Sequence, residues 1–205
     1  MDTNIIPQNT QKVLEELKKT NFIGNFYLSG GTGLALQIGH RESEDLDFFS
    51  QKDFNPQLLQ KELEGIGKLE NVQLGKGTLN CFFDDIQIQF LHYPYKLLEA
   101  KIEWQGIFVS SILDIACTKL LTISSRGSKK DFIDLYFLLG KYSLSFLFKK
   151  LAEKYPESDY NQPHILKSLV YFADADKQPS PRMHKDVGWE TVKEEIKKKV
   201  KNFKI

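Results

Sequence analysis

The composition is that of a globular protein with a substantial core. Of the 205 residues, 41% are hydrophobic and 27% are charged, which excludes global disorder. A net charge of +1 excludes a strongly basic protein that coats nucleic acid. No run approaches the ~18 apolar residues of a membrane span, so we expect a cytoplasmic protein without a membrane partner. Cys81 and Cys117 lack metal-binding spacing, and we predict that both are reduced and lie in the core.

The N-terminal half alternates between helical and extended patterns. Asn9 or Thr10 is predicted to cap a first helix that ends near Lys19. The extended runs 70–75, 78–84 and 86–93 are predicted to form an antiparallel meander, because Gly75-Lys76-Gly77 and Asp84-Asp85 between them are turn signals. Further helices are predicted at 32–38 and 56–66, and strands at 25–29, 45–50, 70–75, 78–84, 86–93 and 107–109.

From residue 110 onward the pattern becomes helical. Four successive apolar segments each follow a residue that can cap a helix. The caps are Ser110 or Ser111, Ser128, Ser143 and Asn161, and the helices end near Ser124, Gly140, Tyr155 and Ala173. A polar loop over 174–188 leads to a terminal helix over 189–203. We therefore predict an α+β protein with a mixed β-sheet and flanking helices over 1–108, an α-helical domain over 109–205, and a cleft between the two.

Two acids one residue apart mark the candidate active site. Side chains two apart on a strand share a face, so Asp45 and Asp47 are expected to present their carboxylates together while Leu46 and Phe48 enter the core. Paired carboxylates suit Mg²⁺, or Mn²⁺, which is usually held by one or two protein carboxylates and the phosphates of a substrate. The pattern favours phosphoryl or nucleotidyl transfer.

A glycine pair precedes these acids and is predicted to approach phosphate. Gly30 and Gly31, flanked by Ser29 and Thr32, stand where a short strand gives way to a helix. Backbone N–H groups and hydroxyls at such a helix start can cradle an anion. Arg41 follows closely enough to add a positive charge to the nucleotide-binding residues.

The combined motif resembles a known signature. Ser29-Gly30-Gly31-Thr32 followed by Asp45-Leu46-Asp47-Phe48 is similar to the signature of the polymerase-β-like nucleotidyltransferase superfamily. The longer string GGTGLAL…HRESEDLDFF resembles the AbiEii/AbiGii group, nucleotidyltransferase toxins of bacterial abortive-infection and toxin–antitoxin systems. Lys119-Leu120, Arg126-Gly127 and the run 130–136 are similar to a second block of that group, so the resemblance covers about residues 26–140.

The resemblance implies a nucleotidyltransferase-type sheet and a reaction. A nucleoside monophosphate would pass from an NTP to a hydroxyl acceptor, with tRNA or another RNA as acceptor and a cognate antitoxin as partner. The implied catalytic residues are Asp45, Asp47, Lys119, Asp131 and Asp134, with Lys119 and Arg126 also binding the nucleotide. Asp131 or Asp134 would help to organise the nucleotide or the acceptor hydroxyl.

The sequence departs from the superfamily at one position. Many members carry a third metal-binding carboxylate on a neighbouring strand, where this chain has Gln87 and Gln89. A neutral amide is a poor ligand for Mg²⁺, and Asp84-Asp85 falls in a predicted turn. One-metal chemistry, help from Asp131 or Asp134, and loss of catalysis are all open alternatives.

Other functions are also compatible with this sequence. One is a catalytically inactive nucleotide- or RNA-binding protein on the same fold, and another is transfer to a small molecule such as an aminoglycoside. The charged residues of the second block could instead form surface ion pairs. The lysines of the last helix, from Lys193 to Lys204, form either a solvated face or a contact with the tRNA backbone.

Overall fold

A computed structural model describes residues 1–157 and 160–203. The helices are α1 (Gln8–Lys18), α2 (Gly30–Ile38), α3 (Pro56–Glu64), α4 (Ile112–Ser125), α5 (Lys129–Lys141), α6 (Leu144–Lys154), α7 (Gln162–Ser168), α8 (Ala173–Asp176) and α9 (Trp189–Lys201). The strands are β1 (Tyr27–Leu28), β2 (Leu46–Ser50), β3 (Leu69–Gly75), β4 (Thr78–Phe83), β5 (Ile86–His92), β6 (Ile102–Trp104) and β7 (Ile107–Val109). Lys204, the last of the predicted basic residues, lies outside the described residues.

The described strands form a mixed sheet of seven in the order β3-β4-β5-β2-β1-β7-β6. The pairs β2/β5 and β1/β7 are parallel, and the other neighbours are antiparallel. The predicted α+β class with a mixed sheet is confirmed, and so is the meander β3-β4-β5. Strand β6 was not predicted, because three residues at an exposed edge carry almost no alternation of apolar and polar side chains.

One face of the sheet carries the hydrophobic core. Every second residue of the central strands is apolar and buried, as expected for strands that cover a core on one side. Helices α1, α2 and α3 supply apolar residues to the same cluster. The cluster includes Val13, Leu14 and Leu17 of α1, Leu59 and Leu63 of α3, and Leu46, Phe48, Leu79, Cys81, Ile88 and Phe90 of the strands. This packing leaves the alternate side chains of β2, β4 and β5 on the opposite face.

The contacts divide the chain into two compact units. The sheet unit comprises Met1–Tyr95 and Ala100–Ser110, and the helical unit comprises Lys96–Glu99 and Ser111–Ile205. Ser110 belongs to the sheet unit because its N–H donates to Leu28 O at 2.9 Å and its hydroxyl to Ser29 Oγ at 3.0 Å. The domain boundary after residue 108 stays a prediction.

Serine and asparagine caps start the helices of the helical unit. Ser111 accepts from Asp114 N, Ser143 from Phe146 N and Asn161 from His164 N. Ser128 forms a reciprocal capping box with Asp131. These local hydrogen bonds satisfy N–H groups that have no partner within the helix, which is why the predicted starts are confirmed. For the first cap the structure selects Ser111 over Ser110.

Two predicted details are wrong for tertiary reasons. Helix α1 begins at Gln8, without a side-chain cap, because Thr10 is buried and its hydroxyl donates to Glu44 O at 3.2 Å. The predicted loop over 174–188 includes the end of the short helix α8. There Asp176 accepts from Trp189 Nε1 at 2.7 Å and from Lys193 Nζ at 3.0 Å, contacts with α9 that a local pattern does not reveal.

A buried ion pair holds residues 96–99 within the helical unit. Lys154 Nζ lies 2.5 Å from Asp114 Oδ1, with side chains only 1% and 2% exposed. Asp114 also accepts from Leu98 N at 3.0 Å and from Glu99 N at 3.2 Å, while Lys154 donates to Lys96 O at 3.0 Å. Both charges are therefore satisfied by several hydrogen bonds, as buried charges require.

Among the described residues, no helix is both long enough and apolar enough to cross a membrane.

Candidate active site

The two predicted acids lie at the start of β2. Asp45 immediately precedes the strand and Asp47 is its second residue, so the strand begins one residue later than predicted. Leu46 and Phe48, which alternate with them, are fully buried, whereas the two acids are half-buried. The alternation therefore places Asp47 on the sheet face opposite the core, as the sequence predicted.

The glycine turn packs directly against Asp47. Ser29 N donates to Asp47 O at 2.8 Å, and Gly30 has a φ of +60°. A Cβ on Gly30 would lie 2.8 Å from the carboxyl carbon of Asp47 and would overlap its Oδ2. Position 30 therefore needs glycine for two reasons, its left-handed backbone and its contact with the carboxylate.

Arg41 lies behind the same turn. A Cβ on Gly31 would be 2.6 Å from Arg41 Nη2, so the second glycine makes room for the guanidinium group. Arg41 is 1% exposed, and its Nη1 donates to Glu42 O at 2.9 Å. The structure thus brings Arg41 to the glycine turn, while its role in nucleotide binding stays a prediction.

Hydroxyl groups connect the turn to the segment before β2. Thr32 Oγ1 donates to Asp45 O and lies 2.8 Å from Ser43 Oγ, with both side chains buried. Ser29 Oγ accepts from Ser110 Oγ at 3.0 Å. These contacts fix the backbone on either side of the two acids, and Ser43 and Ser110 had not been predicted to take part.

The neighbour of Asp47 on β5 is an amide. In the parallel pair β2/β5, Asp47 is the Cα partner of Gln89. Asp84 and Asp85 form the tight β4–β5 turn, with φ of +45° and +67°. Within residues 1–157 and 160–203, no three His, Cys, Asp or Glu side chains are grouped so that they could hold a metal ion. The binding of a divalent cation by Asp45 and Asp47 stays a prediction.

The predicted residues of the second block meet within the helical unit. Lys119 Nζ lies 2.7 Å from Asp131 Oδ1 and 2.7 Å from Asp134 Oδ2, with side chains 8%, 5% and 0% exposed. They form a buried ion-pair network, and the prediction of surface ion pairs is wrong for these three. Arg126 is exposed at the C-terminal end of α4.

Asp131 is held as a carboxylate by several donors. Its Oδ2 accepts from Ser128 N at 3.1 Å and from Ser128 Oγ at 2.7 Å, in addition to the contact with Lys119. Burial raises the pKa of Asp131, but the charge and hydrogen bond of Lys119 and the hydrogen bond of Ser128 outweigh it, so the pKa lies below the ordinary value of 3.8. The network therefore stabilises the contact between α4 and α5 in its charged form.

The sequence matches a known family over nearly its whole length. The profile of the family described as "Nucleotidyl transferase AbiEii toxin, Type IV TA system" covers residues 12–203. The chain belongs to the AbiEii family. It is therefore a nucleotidyltransferase toxin of the toxin–antitoxin type, and the resemblance predicted from the glycine turn and the two acids is confirmed.

Relatives and solved structures are similar to the AbiEii chain over most of its length. An uncharacterised protein of Aquifex aeolicus is 37% identical over 206 residues, covering 97% of both chains. The toxin MenT4 of Mycobacterium tuberculosis superposes with a TM-score of 0.56 at 16% identity, covering 95% of this chain and 84% of that one. JHP933 from Helicobacter pylori superposes with a TM-score of 0.53 at 20% identity, covering 98% and 92%. The superposition on MenT4, a nucleotidyltransferase toxin, confirms the predicted nucleotidyltransferase fold.

Proposed function

We propose that this AbiEii chain uses a divalent cation to transfer a nucleoside monophosphate from an NTP to a hydroxyl group of an acceptor RNA. The observation that carries the proposal is the contact between Gly30 and the Asp47 carboxylate. It brings the start of α2, which we propose binds the phosphates, beside the two acids that we propose bind the metal.

Asp45 and Asp47 would hold the cation. Both are half-buried carboxylates, the oxygen ligands that Mg²⁺ and Mn²⁺ prefer. The missing Cβ at Gly30 lets the Asp47 carboxylate lie against the glycine turn, so a cation held by Asp47 would lie close to the turn. When bound, the cation offsets the negative charge of the triphosphate and of the departing pyrophosphate.

The glycine turn would receive the phosphates. The first N–H groups of α2 have no partner within the helix, and the helix dipole favours anions at this end. Gly30 and Gly31 let the triphosphate approach this backbone closely. Arg41, against Gly31, adds a positive charge behind the turn.

The reaction is a displacement at the α-phosphorus. The acceptor hydroxyl oxygen forms a bond to the α-phosphorus while the bond to the bridging oxygen of the β-phosphate breaks. Pyrophosphate leaves with the electron pair of that bond, and the hydroxyl proton passes to water. The entering and leaving oxygens are roughly in line in such transfers.

We propose that Lys119, Asp131 and Asp134 act first as positioning residues. Their mutual contacts at 2.7 Å fix α4 against α5. We also propose that Lys119 and Arg126 contact the triphosphate. Asp131 or Asp134 would act at the acceptor hydroxyl. Lys119→Arg keeps the positive charge, so it should retain NTP affinity better than Lys119→Met if the charge contacts phosphate.

The test is transfer of label from each α-labelled NTP to total tRNA with Mg²⁺ or Mn²⁺. Asp45→Asn and Asp47→Asn should each reduce the rate about 100-fold or more, because a bound cation contributes several kcal/mol to the transition state. Asp85→Asn is the matched control, since it removes an exposed turn carboxylate where asparagine tolerates the left-handed backbone. Equal rates for all three variants would refute the proposal.

A catalytically inactive binding protein is the second candidate. It is favoured by Gln89, an amide in register with Asp47. Calorimetric titration of NTP with and without Mg²⁺ separates the two. Metal-dependent binding without any label transfer supports the inactive protein, whereas binding with transfer supports the enzyme.

A further inference from the structure

A row of neutral amides continues from Asp47 across the sheet. Asp47 on β2 pairs with Gln89 on β5, Gln89 with Asn80 on β4, and Asn80 with Gln73 on β3. Paired residues of neighbouring strands point to the same face of a sheet. Strands lie about 4.8 Å apart, so the amide row (Gln73, Asn80 and Gln89) extends about 14 Å from Asp47.

The amide row lies on the face opposite the hydrophobic core. Leu79 and Ile88, which alternate with the amides along β4 and β5, are fully buried in that core. Gln73 is exposed, and the other two amides are half-buried. The row is therefore a polar strip at the protein surface that begins beside the candidate active site.

The strand order gives the two sides of Asp47 different chemistry. On the β1 side lies the glycine turn, where the first N–H groups of α2 can face phosphate. On the β5 side lies Gln89. The entering hydroxyl and the leaving pyrophosphate are in line, so pyrophosphate at the glycine turn places the acceptor away from the turn. Along the sheet, the direction away from the turn is the Gln89 side.

The chemistry of the row indicates what the acceptor presents. An amide offers both hydrogen-bond donors and an acceptor without charge, which matches the edges of nucleobases better than phosphate. Phe82, two residues from Asn80 on β4 and thus on the same face, is 37% exposed and can stack a base. A length of about 14 Å exceeds what a single small acceptor needs at the reacting atom.

We infer that the amide row binds the bases at the reacting end of a single-stranded RNA acceptor. The inference rests on the proposed function, because it takes the triphosphate to lie at the glycine turn. The row contributes base recognition through the hydrogen-bond donors and acceptors of its amides.

The test measures RNA binding in the absence of NTP. The probe is fluorescein-labelled RNA of random sequence and about eight nucleotides, within the range of single-strand sites, beside an abasic strand of the same length. The protein should bind the RNA more tightly than the abasic strand. Gln73→Ala and Asn80→Ala should each weaken RNA binding roughly tenfold and leave abasic binding unchanged. Gln57→Ala, an exposed amide on α3, is the control that should change neither.

The outcomes separate this inference from the proposed function. Three results would each overturn the inference. The row variants could lose equal affinity for the RNA and for the abasic strand, they could bind the RNA as tightly as wild type, or the wild type could fail to bind the RNA. Gln73→Ala removes an exposed side chain, so we expect no change in its stability. Urea unfolding checks that the half-buried Asn80→Ala variant is still folded. Label transfer from NTP is scored separately, so a row-dependent RNA interaction without transfer refutes the proposed activity alone.

Discussion

The Gly30→Ala substitution tests whether the glycine turn positions the Asp47 carboxylate. The new Cβ would overlap Asp47 Oδ2 and lie 2.8 Å from the carboxyl carbon, so the carboxylate must move by at least about 1 Å to reach an ordinary contact. A displacement of this size in an active site can cost about 100-fold in rate. The φ of +60° adds about 1–2 kcal/mol of destabilisation for any residue with a Cβ.

Gly39→Ala is the matched control. Gly39 has a φ of +59°, so alanine suffers the same backbone strain, but its Cβ would meet only the Asp2 side chain, at 3.4 Å or more. Both variants should lose about 1–2 kcal/mol of unfolding free energy in urea. In Gly30→Ala alone, Mn²⁺ affinity in the presence of NTP should fall and label transfer should drop about 100-fold. Equal transfer rates in the two alanine variants would refute the reasoning.

Two further predictions concern the buried charges of the helical unit. Asp131→Asn should lower the free energy of unfolding by about 2 kcal/mol at pH 7, because it weakens the charged hydrogen bonds to Lys119 and Ser128 while Lys119 keeps its contact with Asp134. The pKa of Asp131 lies below 3.8 in the folded state, so the stability that its carboxylate contributes is complete above about pH 4 and is lost as the pH falls through the folded pKa. The difference in free energy of unfolding between Asp131→Asn and wild type, measured in urea, should therefore narrow at pH 3. A difference that stays constant with pH would contradict this. Asp114→Ala should lower the free energy of unfolding by about 3–5 kcal/mol, because it removes the carboxylate that pairs with the buried Lys154. The double variant Asp114→Ala/Lys154→Met should recover part of that loss, because it no longer buries the charge of Lys154. Thermal unfolding of the single and double variants measures the recovery, and a double variant less stable than Asp114→Ala would count against the pair.

Local chemistry made several features predictable from the sequence. Ser128 and Asn161 cap helices because their side chains reach N–H groups only a few residues away. The alternation of Asp45 and Asp47 with buried apolar residues depends only on the two-residue period of an extended chain. The glycine turn and the acid pair are motifs of this local kind, and together they indicated the family.

Tertiary structure decided how these parts combine. The contact between Gly30 and Asp47 depends on the antiparallel pairing of β1 with β2, and the place of Gln89 on the parallel register of β2 with β5. A shift of one residue in the register of β5 against β2 would turn Gln89 toward the core, and only the packing of the whole sheet excludes that shift. The burial of Lys119 between two carboxylates likewise follows from the packing of α4 against α5. The sequence by itself therefore determined the active-site motif and the helix starts, while long-range pairing determined which side chains lie beside them.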